Sequence, residues 1–153
     1  MSSAVERVKV VSPGQTYVGK QGITYGAGAS AETAGATQIC MNVMPMPPGA
    51  RAKAHYHDKI ETIAYMQEGE CAVYYGDDLE RRIVAKQGDQ VFCPADVPHA
   101  PCNESGKPCT WIVVQAPAAI RPASCFCRIS MNGSRSASLQ RLSRLCDASV
   151  SGK

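Results

Sequence analysis

From about residue 38 onward the chain alternates between apolar and polar positions in short runs, and nearly every run stops at a turn residue. Ile39, Met41 and Val43 alternate with Gln38, Cys40 and Asn42 until Pro47-Pro48-Gly49 ends the run. Arg51 to His57 alternates strictly, Ala and Tyr against charged or histidine positions. Glu61 to Met66 and Glu70 to Tyr75 flank Gln67-Glu68-Gly69, which predicts a hairpin. Gly76-Asp77-Asp78 leads into Arg81 to Ala85, and Lys86-Gln87-Gly88-Asp89 into Gln90 to Cys93. Asn103-Glu104-Ser105-Gly106 then separates His99 to Cys102 from the apolar run Cys109 to Gln115. A period of two, with Gly or Pro in the turns and no helical period, predicts an all-β domain, a sandwich or barrel, over residues 1–117.

The pattern is lost after Pro117. Residues 118–153 are rich in Ser, Arg and Cys, and six Lys/Arg stand there against the single Asp147. This part is expected to be an appendage, partly disordered, with a short helix around Ala137 to Cys146 where Leu139, Leu142 and Leu145 fall three apart. Its basic charge lacks aromatic interleaving beyond Phe126, and the preceding domain has no basic stripe, so nucleic acid is not an expected partner.

At 153 residues, 44% hydrophobic and 19% charged, the chain has room for one domain with a real core. Its longest uncharged stretch, Thr33 to Ala50, contains three prolines and cannot be a membrane helix. Glu6, Arg7 and Lys9 occupy the place where a signal peptide needs an apolar run, so a soluble, cytoplasmic protein is expected. The eight cysteines contain no CxxC pair and are expected to be reduced thiols, those of the domain serving as small core residues.

Only three histidines occur: His55, His57 and His99. Two residues apart in a strand, His55 and His57 point to one face, and Glu61 follows closely enough to join them. Imidazole with carboxylate suits a divalent first-row metal. The same parity puts Arg51 and Lys53 beside the histidines, where two cations would favour an anionic substrate such as a carboxylate or phosphate; a solvated rim is the plainer alternative. Glu61 is also a candidate base, and Tyr65, on the parity of Glu61, a candidate proton donor or else a packing residue.

Two spaced motifs give these residues a context. Gly49, five residues, His55-Tyr56-His57, three residues, Glu61, seven residues and Gly69 form the first. Gly88, five residues, Pro94-Ala95-Asp96, two residues, His99, three residues and Asn103 form the second. Together they resemble the two motifs of the cupin superfamily, as found in small bacterial single-domain members, with one departure: Asp96 stands where the family has Gly. Asp tolerates a left-handed turn better than most residues, so the departure fits the same fold.

The resemblance implies a double-stranded β-helix, a jelly-roll-like barrel, holding one divalent metal (Fe, Mn, Zn, Ni or Cu) on His55, His57, Glu61 and His99. It also implies a homodimer, for which an exposed N-terminal strand such as Arg7 to Val11 offers an edge. The function it implies is a metal-dependent enzyme, dioxygenase-like, on a small anionic organic substrate. A sugar-phosphate isomerase or epimerase, a polyketide cyclase, and a non-catalytic ligand-binding module are the alternatives.

Overall fold

The computed structural model describes residues 8–116. The strands are β1 (Thr16–Val18), β2 (Thr24–Gly26), β3 (Cys40–Met46), β4 (Glu61–Glu68), β5 (Glu70–Tyr75), β6 (Arg81–Lys86), β7 (Gln90–Cys93), β8 (His99–Cys102) and β9 (Cys109–Ala116). One helical turn, α1 (Ala31–Ala34), has no counterpart in the sequence pattern; Ser30 caps it and exchanges hydrogen bonds with Thr33. The expected appendage over 118–153, its helix and its cysteines lie outside the described residues.

Two antiparallel sheets enclose the core. The larger runs β1-β2-β3-β9-β4-β7 and the smaller β6-β5-β8, which is the expected double-stranded β-helix. Met44, Met46, Met66, Cys71, Val73, Cys109 and Trp111 meet between them, all but excluded from water. The five described cysteines are free thiols. No helix among the described residues is long and apolar enough to cross a membrane.

Three expectations about local structure are corrected. The hairpin across Gln67-Glu68-Gly69 does not form: β4 pairs with β7 and β9, whereas β5 pairs with β6 and β8, so the chain changes sheets at Gly69. Gly69 has φ +81°, and a Cβ there would lie 2.8 Å from both the Cys109 Cβ and the Pro108 carbonyl oxygen, so only glycine fits. Residues 8–11 form no strand. Finally, Arg51 to His57 is not a regular strand. It touches β8 through two isolated bridges, Arg51 to Cys102 and His55 to His99, with a bend at Ala54 between them.

Alternation in the larger sheet runs opposite to what apolar content alone suggests. In β3 the buried positions are Asn42, Met44 and Met46, while Met41 is 43% exposed. In β4 they are Thr62 and Met66, while Ile63 and Tyr65 are 46% and 41% exposed. The inward face of this sheet therefore carries polar groups at one end, and its outward face is largely apolar.

Candidate metal centre

The polar end of the inward face meets the three histidines. His55 and His57 come from the bent segment and His99 opens β8, all three about 5% exposed. The backbone holds them together, since His55 N–H donates to the His99 carbonyl at 3.0 Å and His99 N–H to the His55 carbonyl at 2.8 Å. The ring centroids lie 4.4 Å (His55–His99), 5.0 Å (His57–His99) and 5.2 Å (His55–His57) apart.

Each ring is anchored through Nδ1. His55 Nδ1 lies 2.7 Å from the Lys53 carbonyl oxygen and His99 Nδ1 2.9 Å from that of Val97. A carbonyl only accepts, so both rings carry their proton on Nδ1 and leave Nε2 as a lone pair. His57 Nδ1 lies 3.0 Å from Gln115 Nε2, and that amide is also 3.2 Å from Thr62 Oγ1. One nitrogen from each ring lies within 4.8 Å of the other two. That bound is little more than two metal–nitrogen bonds of about 2.0–2.1 Å laid end to end. Three neutral nitrogens, buried and held by partners at the far ring atom, fit a divalent transition metal.

Burial also keeps the rings neutral. It lowers His55 to about 3 and His57 to about 4, helped in both by the nearness of His99, and it lowers His99 as well. No net charge must be lost from these imidazoles before they can ligate at neutral pH.

The sequence-predicted residues divide. His55, His57 and His99 are brought together as expected; Glu61, Tyr65, Arg51 and Lys53 are not. Glu61 opens β4 on its outward parity and is exposed, so the inward position next to the histidines falls to Thr62. Tyr65 shares that outward parity. Arg51 and Lys53 do not line the cavity, because the bend at Ala54 shifts the alternation by one residue. Ala52, His55 and His57 face inward, and Lys53 faces out.

Beside the histidines lies a cavity of about 60 Å³, several times the roughly 10–15 Å³ that one water needs. Gln21, Asn42, Thr62 and Gln115 supply its polar wall, and Met44, Val73, Val91, Val113 and Trp111 its apolar one. Tyr17, 38% exposed, stacks on Tyr25 at 5.4 Å and forms the rim. Gln21 Nε2 donates to the Tyr25 hydroxyl. Cys93 also lines the cavity, its thiol pushed up to about 11 by burial and so kept protonated.

The sequence reading missed Gln21, Asn42, Thr62 and Gln115. A signal existed for two of them: Asn42 and Gln115 are polar residues in phase with the buried rows Met44–Met46 and Cys109–Trp111.

The second motif also organises this end of the barrel. Asp96 adopts φ +64°, the left-handed turn expected of it. Its N–H donates to the His57 carbonyl at 3.0 Å, and its Oδ1 accepts from the Lys59 N–H at 3.1 Å. Asn103, 1% exposed, donates through Nδ2 to the carbonyls of Met46 and Lys107 at 2.8 and 2.7 Å and ties β3 to the loop before β9.

The family model for the cupin domain matches residues 42–115. Three solved structures are among those similar to the chain. A protein from Thermus thermophilus is 32% identical, over 54% of this chain and 75% of its own, with a TM-score of 0.49. A predicted oxalate decarboxylase from Thermotoga maritima is 21% identical, over 73% of this chain and 97% of its own, with a TM-score of 0.56. A sugar phosphate isomerase of the cupin superfamily from Silicibacter pomeroyi is 22% identical, over 61% of this chain and 60% of its own, with a TM-score of 0.52. None of the curated proteins compared matches the chain. With both motifs in their structural places and the family model over the same residues, the chain belongs to the cupin superfamily.

Proposed function

We propose that His55, His57 and His99 hold one divalent transition metal through Nε2 and that the chain is an enzyme using it on a small organic molecule. The observation that carries this reading is the set of three buried imidazoles, each anchored at Nδ1, beside a cavity of about 60 Å³. When bound, the metal would supply a Lewis-acidic centre with positions left for substrate and, with Fe(II), for O₂. The protein's part is to keep the imidazoles neutral, to exclude water along Met44, Val73, Val91 and Val113, and to orient polar substrate atoms against Gln21, Asn42 and Thr62.

The wall also bears on substrate class. Among the described residues, no lysine or arginine lines the cavity. A phosphate dianion would be desolvated there without a cation from the protein, which supports dioxygenase-like chemistry over sugar-phosphate isomerisation. A single carboxylate or enolate would find its counter-charge at the metal. In this reading the working unit is a homodimer.

Elemental analysis of anaerobically purified protein beside His57→Ala is the test, followed by oxygen uptake with small keto acids and catechols. One metal per chain in the wild type, absent from the variant, with catalytic oxygen consumption, is expected. Metal without turnover, giving only a stoichiometric spectral shift, would make the chain a binding module. Absence of metal after reconstitution would overturn the reading.

A further inference from the structure

His55 and His99 are held by backbone carbonyls, which cannot change role, but His57 is held by an amide, which can. The partner facing His57 Nδ1 at 3.0 Å is the Gln115 nitrogen. A donor there makes Nδ1 an acceptor, so the proton of neutral His57 sits on Nε2. In this arrangement the three rings present two lone pairs and one N–H, whereas ligation needs three lone pairs.

The other contacts of Gln115 allow the conversion. In register across three strands, Gln115 lies between Cys40 on β3 and Thr62 on β4, and it is 6% exposed. Its Nε2 lies 3.2 Å from Thr62 Oγ1 and its Oε1 4.0 Å from Cys40 Sγ. A hydroxyl donates or accepts, and so, weakly, does a thiol. Turning the amide by 180° would exchange its nitrogen and oxygen among His57, Thr62 and Cys40 without leaving any of these contacts unmade.

We infer that Gln115 is the positioning residue of the centre: its amide nitrogen faces His57 in the metal-free protein, and its oxygen faces His57 in the loaded one. The turn moves the His57 proton from Nε2 to Nδ1 and frees the third ligand nitrogen. This inference rests on the metal centre proposed above and adds a device that gates it.

The test is long-range ¹H–¹⁵N NMR of ¹⁵N-histidine-labelled full-length chain, metal-free and after addition of zinc chloride. His57 is expected as the Nε2–H tautomer without zinc and as Nδ1–H with it, while His55 and His99 are Nδ1–H throughout. Gln115→Glu, whose carboxylate form can only accept, should give His57 as Nδ1–H even without zinc once that carboxyl is ionised. Gln115→Met, similar in length and without a hydrogen bond, should weaken zinc binding about 10- to 100-fold in chelator competition. Wild-type His57 already Nδ1–H without zinc, or equal zinc affinity in wild type and Gln115→Met, would overturn the role of Gln115 while leaving the metal centre standing. Failure of the wild type to bind zinc would overturn the centre and the gate together.

Discussion

His55 and His57 are held at about 3 and about 4 because burial disfavours their charged forms and His99 lies beside both. Unfolded, the same side chains titrate near 6.5. Above that pH both states hold them neutral and they add no pH dependence. Below it the unfolded chain takes up protons that the native cluster refuses, so metal-free protein should lose stability as pH falls from about 6.5 towards 4. The expected slope is up to about 1.4 kcal/mol per pH unit for each histidine. Urea unfolding at steps between pH 7.5 and 4.5 measures it, and His57→Ala should have a shallower slope than wild type. Equal slopes in the two proteins would show that His57 is not held neutral in the fold. A second expectation separates Glu61 from the histidines. Glu61→Gln should keep its metal, since the side chain is exposed and outside the cluster. His99→Ala should bind metal at least about 100-fold more weakly, more than loss of an outer partner costs. Metal analysis of both variants decides it; loss of metal in Glu61→Gln would return the carboxylate to the site. The histidines were legible because they are the only three in the chain and their spacing is distinctive. The place of Glu61 was not, because a one-residue shift in strand register reverses every side chain, and Glu61-Thr62-Ile63-Ala64 reads equally well either way.

Strand boundaries from β3 to β9 were readable because each run of alternation ends at a turn residue with its own chemistry. β1 and β2 were not, being three residues each and without a periodic run. They nonetheless carry Tyr17 and Tyr25 to the rim of the cavity. Partner choice was legible only in part, because a turn signal marks where a strand stops and not which strand it meets next. Gly69 is the case in point: its sequence neighbours suggest a hairpin, but the chain crosses there from one sheet to the other. Gly69→Ala should therefore cost about 1–3 kcal/mol from the left-handed backbone, and more from the 2.8 Å approach to Cys109 and Pro108. Thermal unfolding of this variant beside Gly14→Ala, where an added Cβ meets nothing within 4 Å, gives the contrast. A similar stability in both variants would mean that the sheet crossing does not require glycine.

At the scale of the molecule, the inverted alternation of the larger sheet leaves an apolar row on its outer face. Met41 on β3 pairs with Val114 on β9, Val114 with Ile63 on β4, and Ile63 with Phe92 on β7. Met41, Ile63 and Phe92 are 43%, 46% and 57% exposed. Single exposed apolar side chains are ordinary, but a row in register across four strands is the kind of surface that another protein surface covers. Residues 8–11, the edge expected to pair two copies, form no strand, so this face is the surface proposed for pairing two copies. A two-fold dimer through it is self-complementary, because each copy brings the same row to the other. Light scattering after gel filtration should then give about twice the 16.3 kDa chain mass. Ile63→Lys and Phe92→Lys should each shift the protein to the monomer by placing like charges against each other across the axis. Both side chains point away from the cavity, so neither substitution should change metal content, and a circular dichroism spectrum like that of wild type would separate dissociation from misfolding. A monomeric wild type, or a dimer that survives both substitutions, would remove this face from the assembly.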